Sequence, residues 1–271
     1  MLVLILFCRE INTEVCADDL NSSMEHSPVR TLSEDLFENL PVVRVWQERD
    51  ILYNQPILYE AVPLDSLLKA AFPDIKDYAE RDYTLVLRAK GGYEPIISLD
   101  AAMSGKAFVV RSIVGLDTEE GYPCWREAGQ INCNPEYFVI WTDGYYPERP
   151  QPWGLFEVQL MPAQFLSQAI APKDNSPEVS RGYTTYLKYC IECHNIGGVG
   201  GGVATDHAVR NRPVDRNLLR FFLFEFAERS PETSMPDFSG VLEQQDVSEL
   251  QKYLKHMFMV QKESSKEASP D

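Results

Sequence analysis

Cys190-Ile191-Glu192-Cys193-His194 is the stretch whose reading decides the rest of the chain. Two thiols three residues apart on a helical turn can each bond one vinyl group of a single porphyrin, and the histidine after them then sits under the iron as an axial ligand. Three other uses of such cysteines compete. A thioredoxin-like pair belongs beside a βαβ pattern, whereas this pair follows a helix-forming stretch and precedes a glycine-rich loop. A zinc site needs two further Cys or His ligands, and only His207 lies nearby. A disulfide between Cys190 and Cys193 leaves His194 without a task. Covalent haem is the expectation, carried by Cys190 and Cys193 with His194 on the iron.

Outward from the motif the pattern is helical. Apolar spacing predicts helices over about 180–191, 214–228 and 246–259, the last opening on Asp246-Val247-Ser248-Glu249 with Val247, Leu250, Leu254, Met257 and Phe258 on one face. Between the last two, Ser234-Met235-Pro236 places a thioether on a loop, because the proline that follows presets the backbone and lacks an N–H. Met235 is therefore the expected second axial ligand, with His207 and His256 as alternatives, and Met257 and Met259 read as core or gap-filling residues. The run Leu218–Phe226 holds four phenylalanines, too many to face inward together. Some of them are expected on the cofactor edge or on the other domain. Arg216 and Arg220 are candidates for haem propionates or for a docking patch.

Residues 180–260 resemble the class I cytochrome c family. The resemblance rests on the motif and on Gly182, Tyr186 and Cys190, which follow one another at four-residue steps. It implies an all-α domain in which Gly182 lets its helix cross the C-terminal helix near Tyr253 and Leu254. It also implies thioethers on Cys190 and Cys193, iron ligation by His194, and a single haem c. The family has Ala-Pro-Asp-Leu after its glycines. Here Ala204 is followed by Thr205, whose carbonyl stands where the family's proline carbonyl accepts from the axial histidine.

The 271 residues suffice for two domains at ~100–200 residues each. From Pro41 to Leu166 come short β-rich runs at 42–46, 83–87, 108–110, 137–141 and 156–160, with helical spacing at 63–71 and 98–103. The fold expected is an α+β domain dominated by antiparallel strands over 35–171, a linker over 172–179, the cytochrome-like domain over 180–260, and solvated tails at 1–34 and 261–271. Val62–Leu68, Tyr83–Leu87, Gly91–Glu94 and Ser98–Ala101 resemble fragments of the sulfite-oxidase-like molybdopterin-binding fold. The segment rich in Asn and Arg that carries that family's metal-binding cysteine is missing, which implies a cofactor-less docking or scaffolding element.

The net charge of −16 argues against nucleic acid. Residues 1–179 carry fourteen basic against twenty-eight acidic side chains, and residues 180–271 eleven against thirteen. A basic redox partner would be drawn to the first half. The apolar start Met1–Cys8 is too short to span a bilayer, and Val15-Cys16-Ala17 has the small-residue pattern of a signal-peptidase site. A periplasmic location follows, with no membrane span in the mature chain, and there Cys124 and Cys133 would pair as a disulfide. Together these features imply an exported electron carrier between redox proteins. The alternatives are an electron-transfer subunit of a periplasmic oxidoreductase and a haem-bearing sensor.

Overall fold

In a computed structural model, the described residues are 27–48, 56–114, 125–127, 130–132, 137–144, 149–204, 213–230 and 235–267. The first domain is built on strands β1 (Val29–Thr31), β2 (Val43–Gln47), β3 (Ile57–Pro63), β4 (Tyr83–Ala89), β5 (Ile96–Ser98), β6 (Ala107–Val114), β9 (Tyr137–Trp141) and β10 (Trp153–Pro162). They form one sheet in the order β2-β3-β6-β9-β10-β4-β5, and every pairing is antiparallel. A separate ribbon pairs β7 (Trp125–Glu127) with β8 (Gln130–Asn132). The ten-residue β10 pairs along one edge first with β9 and then with β1, through Val29↔Gln159 and Thr31↔Glu157.

Helices α1 (Glu34–Phe37), α2 (Leu64–Ala71), α3 (Ile75–Glu80) and α4 (Leu99–Ala102) accompany this sheet. Helix α2 buries Leu64, Leu67, Leu68 and Ala71, the i, i+3, i+4, i+7 stripe that period 3.6 puts on one side. At roughly 2 kcal/mol for each leucine removed from water, this helix is held by packing rather than by propensity. It joins Phe37, Leu85, Leu87, Val158 and Leu160 in one core. A second cluster, containing Tyr59, Val110, Phe138 and Ile140, is capped by the Phe138–Trp153 stack at 3.9 Å. Buried Trp141 satisfies its indole N–H on the Pro150 carbonyl at 2.7 Å.

Helix α5 (Ala163–Ala169) follows β10, and the second region opens with α6 (Pro177–Tyr189), which carries proline in its first turn, where no intrahelical N–H is needed. After the ladder β11 (Asn195–Ile196) and β12 (Val199–Gly200) come α7 (Arg216–Phe224), α8 (Phe226–Arg229) and α9 (Gln244–Glu267). Asp215 caps α7, its carboxylate accepting from the Asn217 and Leu218 N–H groups at 2.9 and 3.2 Å.

Several expectations need correction. Residues 29–31 are a paired strand rather than part of a tail. Helix α9 starts at Gln244, two residues early, because the Asp246 carboxylate reaches back to the Glu243 N–H at 2.7 Å and so occupies the third helical position of a capping arrangement. It also runs on through 261–267, expected to be solvated tail, where Lys and Glu are good helix formers. The region is not wholly helical. Gly197 (φ +63°) and Gly198 (φ +82°) make the two-residue turn of a hairpin, conformations that side chains with a Cβ resist. Met259 is 46% exposed rather than core, while Met257 is buried. The signal-peptide reading, Cys124, Cys133, Thr205 and His207 lie outside the described residues.

Candidate functional site

Helix α6 ends where the motif begins. Cys190 is its C-cap, with its N–H bonded to the Tyr186 carbonyl at 2.9 Å. The next turn tightens, the Cys190 carbonyl accepting from the N–H groups of Cys193 at 3.2 Å and His194 at 2.8 Å. Tyr186 is fully buried, and its hydroxyl donates to the His194 carbonyl at 2.9 Å, tying the end of the motif to the helix that starts it. Gly182, one turn before Tyr186, faces α9. A Cβ at this position would overlap the Glu249 carbonyl and crowd the Tyr253 Cβ, so the two helices cross backbone to backbone. Beside the crossing, Arg181 forms an ion pair with Glu249 at 2.6 Å, which holds the Glu249 carboxyl below the usual carboxylate range.

The crossing and α7 enclose a cavity of about 370 Å³, within the size range of ligand sites. Cys190, Cys193 and His194 line it together with Met235. The rest of its wall includes Leu219, Leu223, Leu250 and Leu254, with Phe222 and Phe226 contributing two of the four phenylalanines. Thus the aromatic run serves the cavity. Phe221, Phe222 and Phe226 also meet edge to face, with ring centroids 5.1–6.0 Å apart. Two thiols, an imidazole and a thioether on one largely apolar cavity are the donor set a covalently held haem requires, so the residues present fit that group. Burial, with the neighbouring Cys193 second, pushes the Cys190 thiol up to about 12, and burial does the same to Cys193. Arg216 and Arg220 are exposed on α7 and lie outside the cavity wall.

The glycines after the motif do not all serve one purpose. Gly200 and Gly201 pack on the motif's own backbone: a Cβ on Gly200 would meet the His194 and Ile191 carbonyls, and one on Gly201 the Glu192 carbonyl. The loop closes through Gly201 N–H to Ile191 O at 2.8 Å and Ala204 N–H to Cys193 O at 3.2 Å. Close approach to the motif itself accounts for these two positions.

Sequence reasoning missed one set of residues. The turn between β4 and β5 reaches the motif: the Glu94 N–H donates to the Glu192 carbonyl at 2.9 Å, the Gly202 N–H donates to Gly92 O at 2.7 Å, and the Tyr93 hydroxyl donates to the Glu192 carboxylate at 2.8 Å. Burial pushes Glu192 up to about 7 against the opposing pull of that hydroxyl. Gly91-Gly92 announces a turn, but nothing in the string tells which surface the turn will meet.

Residues 177–254 match the family described as cytochrome C oxidase, cbb3-type, subunit III. The match covers the helical region and not the first domain. It supports a c-type cytochrome here, and a cytochrome c domain implies a covalently bound haem c, electron transfer and redox partners. No curated protein and no solved structure matches the chain. Among the described residues no helix is long and apolar enough to cross a membrane.

Proposed function

We propose that the chain is an exported, single-haem c-type cytochrome that passes one electron at a time between redox proteins. The observation that carries this reading is the convergence of Cys190, Cys193, His194 and Met235 on one apolar cavity. When bound, the haem supplies a one-electron iron couple. Cys190 and Cys193 tether the porphyrin through thioethers, so it is not lost on exchange with a partner. His194 and Met235 would hold the iron, and the leucine and phenylalanine wall would keep water away from it. A dry surrounding and a thioether ligand both favour the lower-charged ferrous state and raise the potential. The sheet domain, with its excess of acidic residues, serves as a docking element for a basic partner, and its likeness to a molybdopterin-binding fold is that of a domain without its cofactor. Periplasmic location is part of the same reading, because haem attachment to such a motif takes place outside the cytoplasm.

Denaturing electrophoresis followed by a peroxidase stain tests it. The full chain should keep stain on its band, and Cys190→Ala combined with Cys193→Ala should lose it. Stain that leaves the wild-type chain on denaturation refutes covalent attachment. A second reading, an electron-transfer subunit of a larger oxidoreductase, is favoured by the oxidase-subunit family matched at 177–254. A catalytic chain that copurifies stoichiometrically decides for it.

A further inference from the structure

The first domain touches the cofactor motif itself. We propose that Gly92, Tyr93 and Glu94, in the turn between β4 and β5, are a working part of the haem site: a clasp that fixes residue 192, between the two cysteines and next to Cys193, and so sets the placement of Cys193 and His194 against the cavity. This deepens the cytochrome reading and rests on it. Tyr93 and Gly92 are positioning residues, acting through Glu192 and Gly202 rather than on the cofactor.

The contact is made backbone to backbone. Gly92 has φ +87°, and a Cβ on it would lie 2.6 Å from the Gly202 carbonyl carbon and 2.9 Å from the Val203 nitrogen. A Cβ on Gly201 would lie 2.9 Å from the Gly92 oxygen. Only two glycine turns can approach this closely, and the approach lets the Glu94 N–H and the Gly92 carbonyl bond both ends of the segment that wraps the motif. The Tyr93 hydroxyl adds a third bond, to the Glu192 side chain, which itself lines the cavity. Behind the turn lies apolar support from both domains. Val86 and Met161 of the sheet and Phe165 of α5 form a cluster to which Ile96 and, from the hairpin after the motif, Val199 are packed. A partly buried polar contact backed by apolar packing holds one geometry, whereas a tethered module would leave the motif free to relax.

The turn supplies its own control. Gly91 has φ +85° but nothing within 4 Å of its Cβ position, so Gly91→Ala imposes the same backbone strain without touching the seam. The test compares Gly92→Ala, Gly91→Ala and Tyr93→Phe in the full-length, haem-loaded chain. Amide hydrogen exchange reads the Glu94 and Gly202 N–H groups, and Soret dichroism with the midpoint potential reads the haem. Gly92→Ala should speed exchange at both amides by about tenfold or more relative to Gly91→Ala. Gly92→Ala and Tyr93→Phe should both shift the potential and the dichroism, while Gly91→Ala should leave them at the wild-type values. Equal exchange in the two glycine variants overturns the clasp. So does faster exchange with an unmoved potential, because the seam would then be packing alone. Failure of the cytochrome reading shows separately, as a wild-type chain without stainable haem, and the exchange comparison still decides whether the clasp exists.

Discussion

Replacing Gly182 by alanine pits two effects of known sign against each other. In a helix interior alanine is better than glycine by ~1 kcal/mol, so propensity alone predicts a more stable chain. At this position the added methyl overlaps the Glu249 carbonyl and lies 2.9 Å from the Tyr253 Cβ. Both belong to a continuous helix, which cannot yield by rotating a flexible side chain. Relief requires α6 and α9 to move apart, which loosens buried Tyr186, Tyr253 and Leu254, the first and last of which line the cavity. Overpacking of this kind costs ~3 kcal/mol, at the upper end of the usual range because the obstacle is backbone. The net expectation is a loss of about 2 kcal/mol, roughly thirtyfold in the unfolding equilibrium. Guanidinium titration of the haem-loaded chain measures it, with Thr184→Ala, exposed on the same helix, as a control that gains a few tenths of a kcal/mol of propensity and gives up only an exposed hydroxyl bond to the Ser180 carbonyl at 3.1 Å. A Gly182→Ala chain at least as stable as the wild type refutes the close crossing and with it the account of how the cavity is closed.

Met235→Ala should abolish the weak long-wavelength ferric absorption that marks thioether ligation of haem iron and lower the midpoint potential, whereas Met257→Ala, a core change, should leave the band in place; the reverse result removes Met235 from the iron. Arg181 holds the Glu249 carboxyl below its unfolded value, so this pair stabilises the fold above that value and its contribution is lost as the pH falls below ~4.3. Glu249→Gln should therefore flatten the acid limb of a stability–pH profile and leave its neutral limb parallel to the wild type; an unchanged acid limb counts against the pair. Arg88 binds Glu157 at 2.6 Å and Gln159 at 2.7 Å across the sheet, and Arg88→Met should cost about 1–3 kcal/mol by thermal melting, with a neutral result assigning the pair to screened surface charge. Association with a basic redox partner should slow steeply between 0.01 and 0.15 M salt, as the Debye length falls from ~30 to ~8 Å, and a flat salt profile in stopped-flow mixing would leave the acidity of residues 1–179 serving solubility alone.

What could be read from the string and what could not divide along physical lines. The motif, the crossing glycine and the Met-Pro loop are local patterns whose chemistry is carried by a few residues, and the structure brings Cys190, Cys193, His194 and Met235 to one cavity. Strand β3 does not stand out in the string because it lies inside the sheet, between β2 and β6: Tyr59 and Ala61 enter one cluster and Val62 the other, which weakens the polar alternation that marks a half-buried strand. Strand β1, only Val29-Arg30-Thr31, is a strand because β10 offers it an edge, a cause that lies some 130 residues away in the chain. The clasp on Glu192 belongs to the same class. Gly91-Gly92 signals a turn from its own composition, whereas the surface it meets is decided by how the two regions pack together.

The boundary between those units carries one more consequence. Ile170, just after α5, is fully buried in the core of the second region, and its carbonyl accepts the hydroxyl of buried Tyr253 at 2.8 Å. Three residues on, the Lys173 N–H donates to the His256 ring at 3.1 Å. The short passage between domains is thus itself a component of the haem region, and a cut at Ser180 would leave Tyr253 with a buried, unanswered hydroxyl. A fragment that took only the cytochrome-like part would inherit that defect, so a self-sufficient piece of the second region has to begin before Ile170.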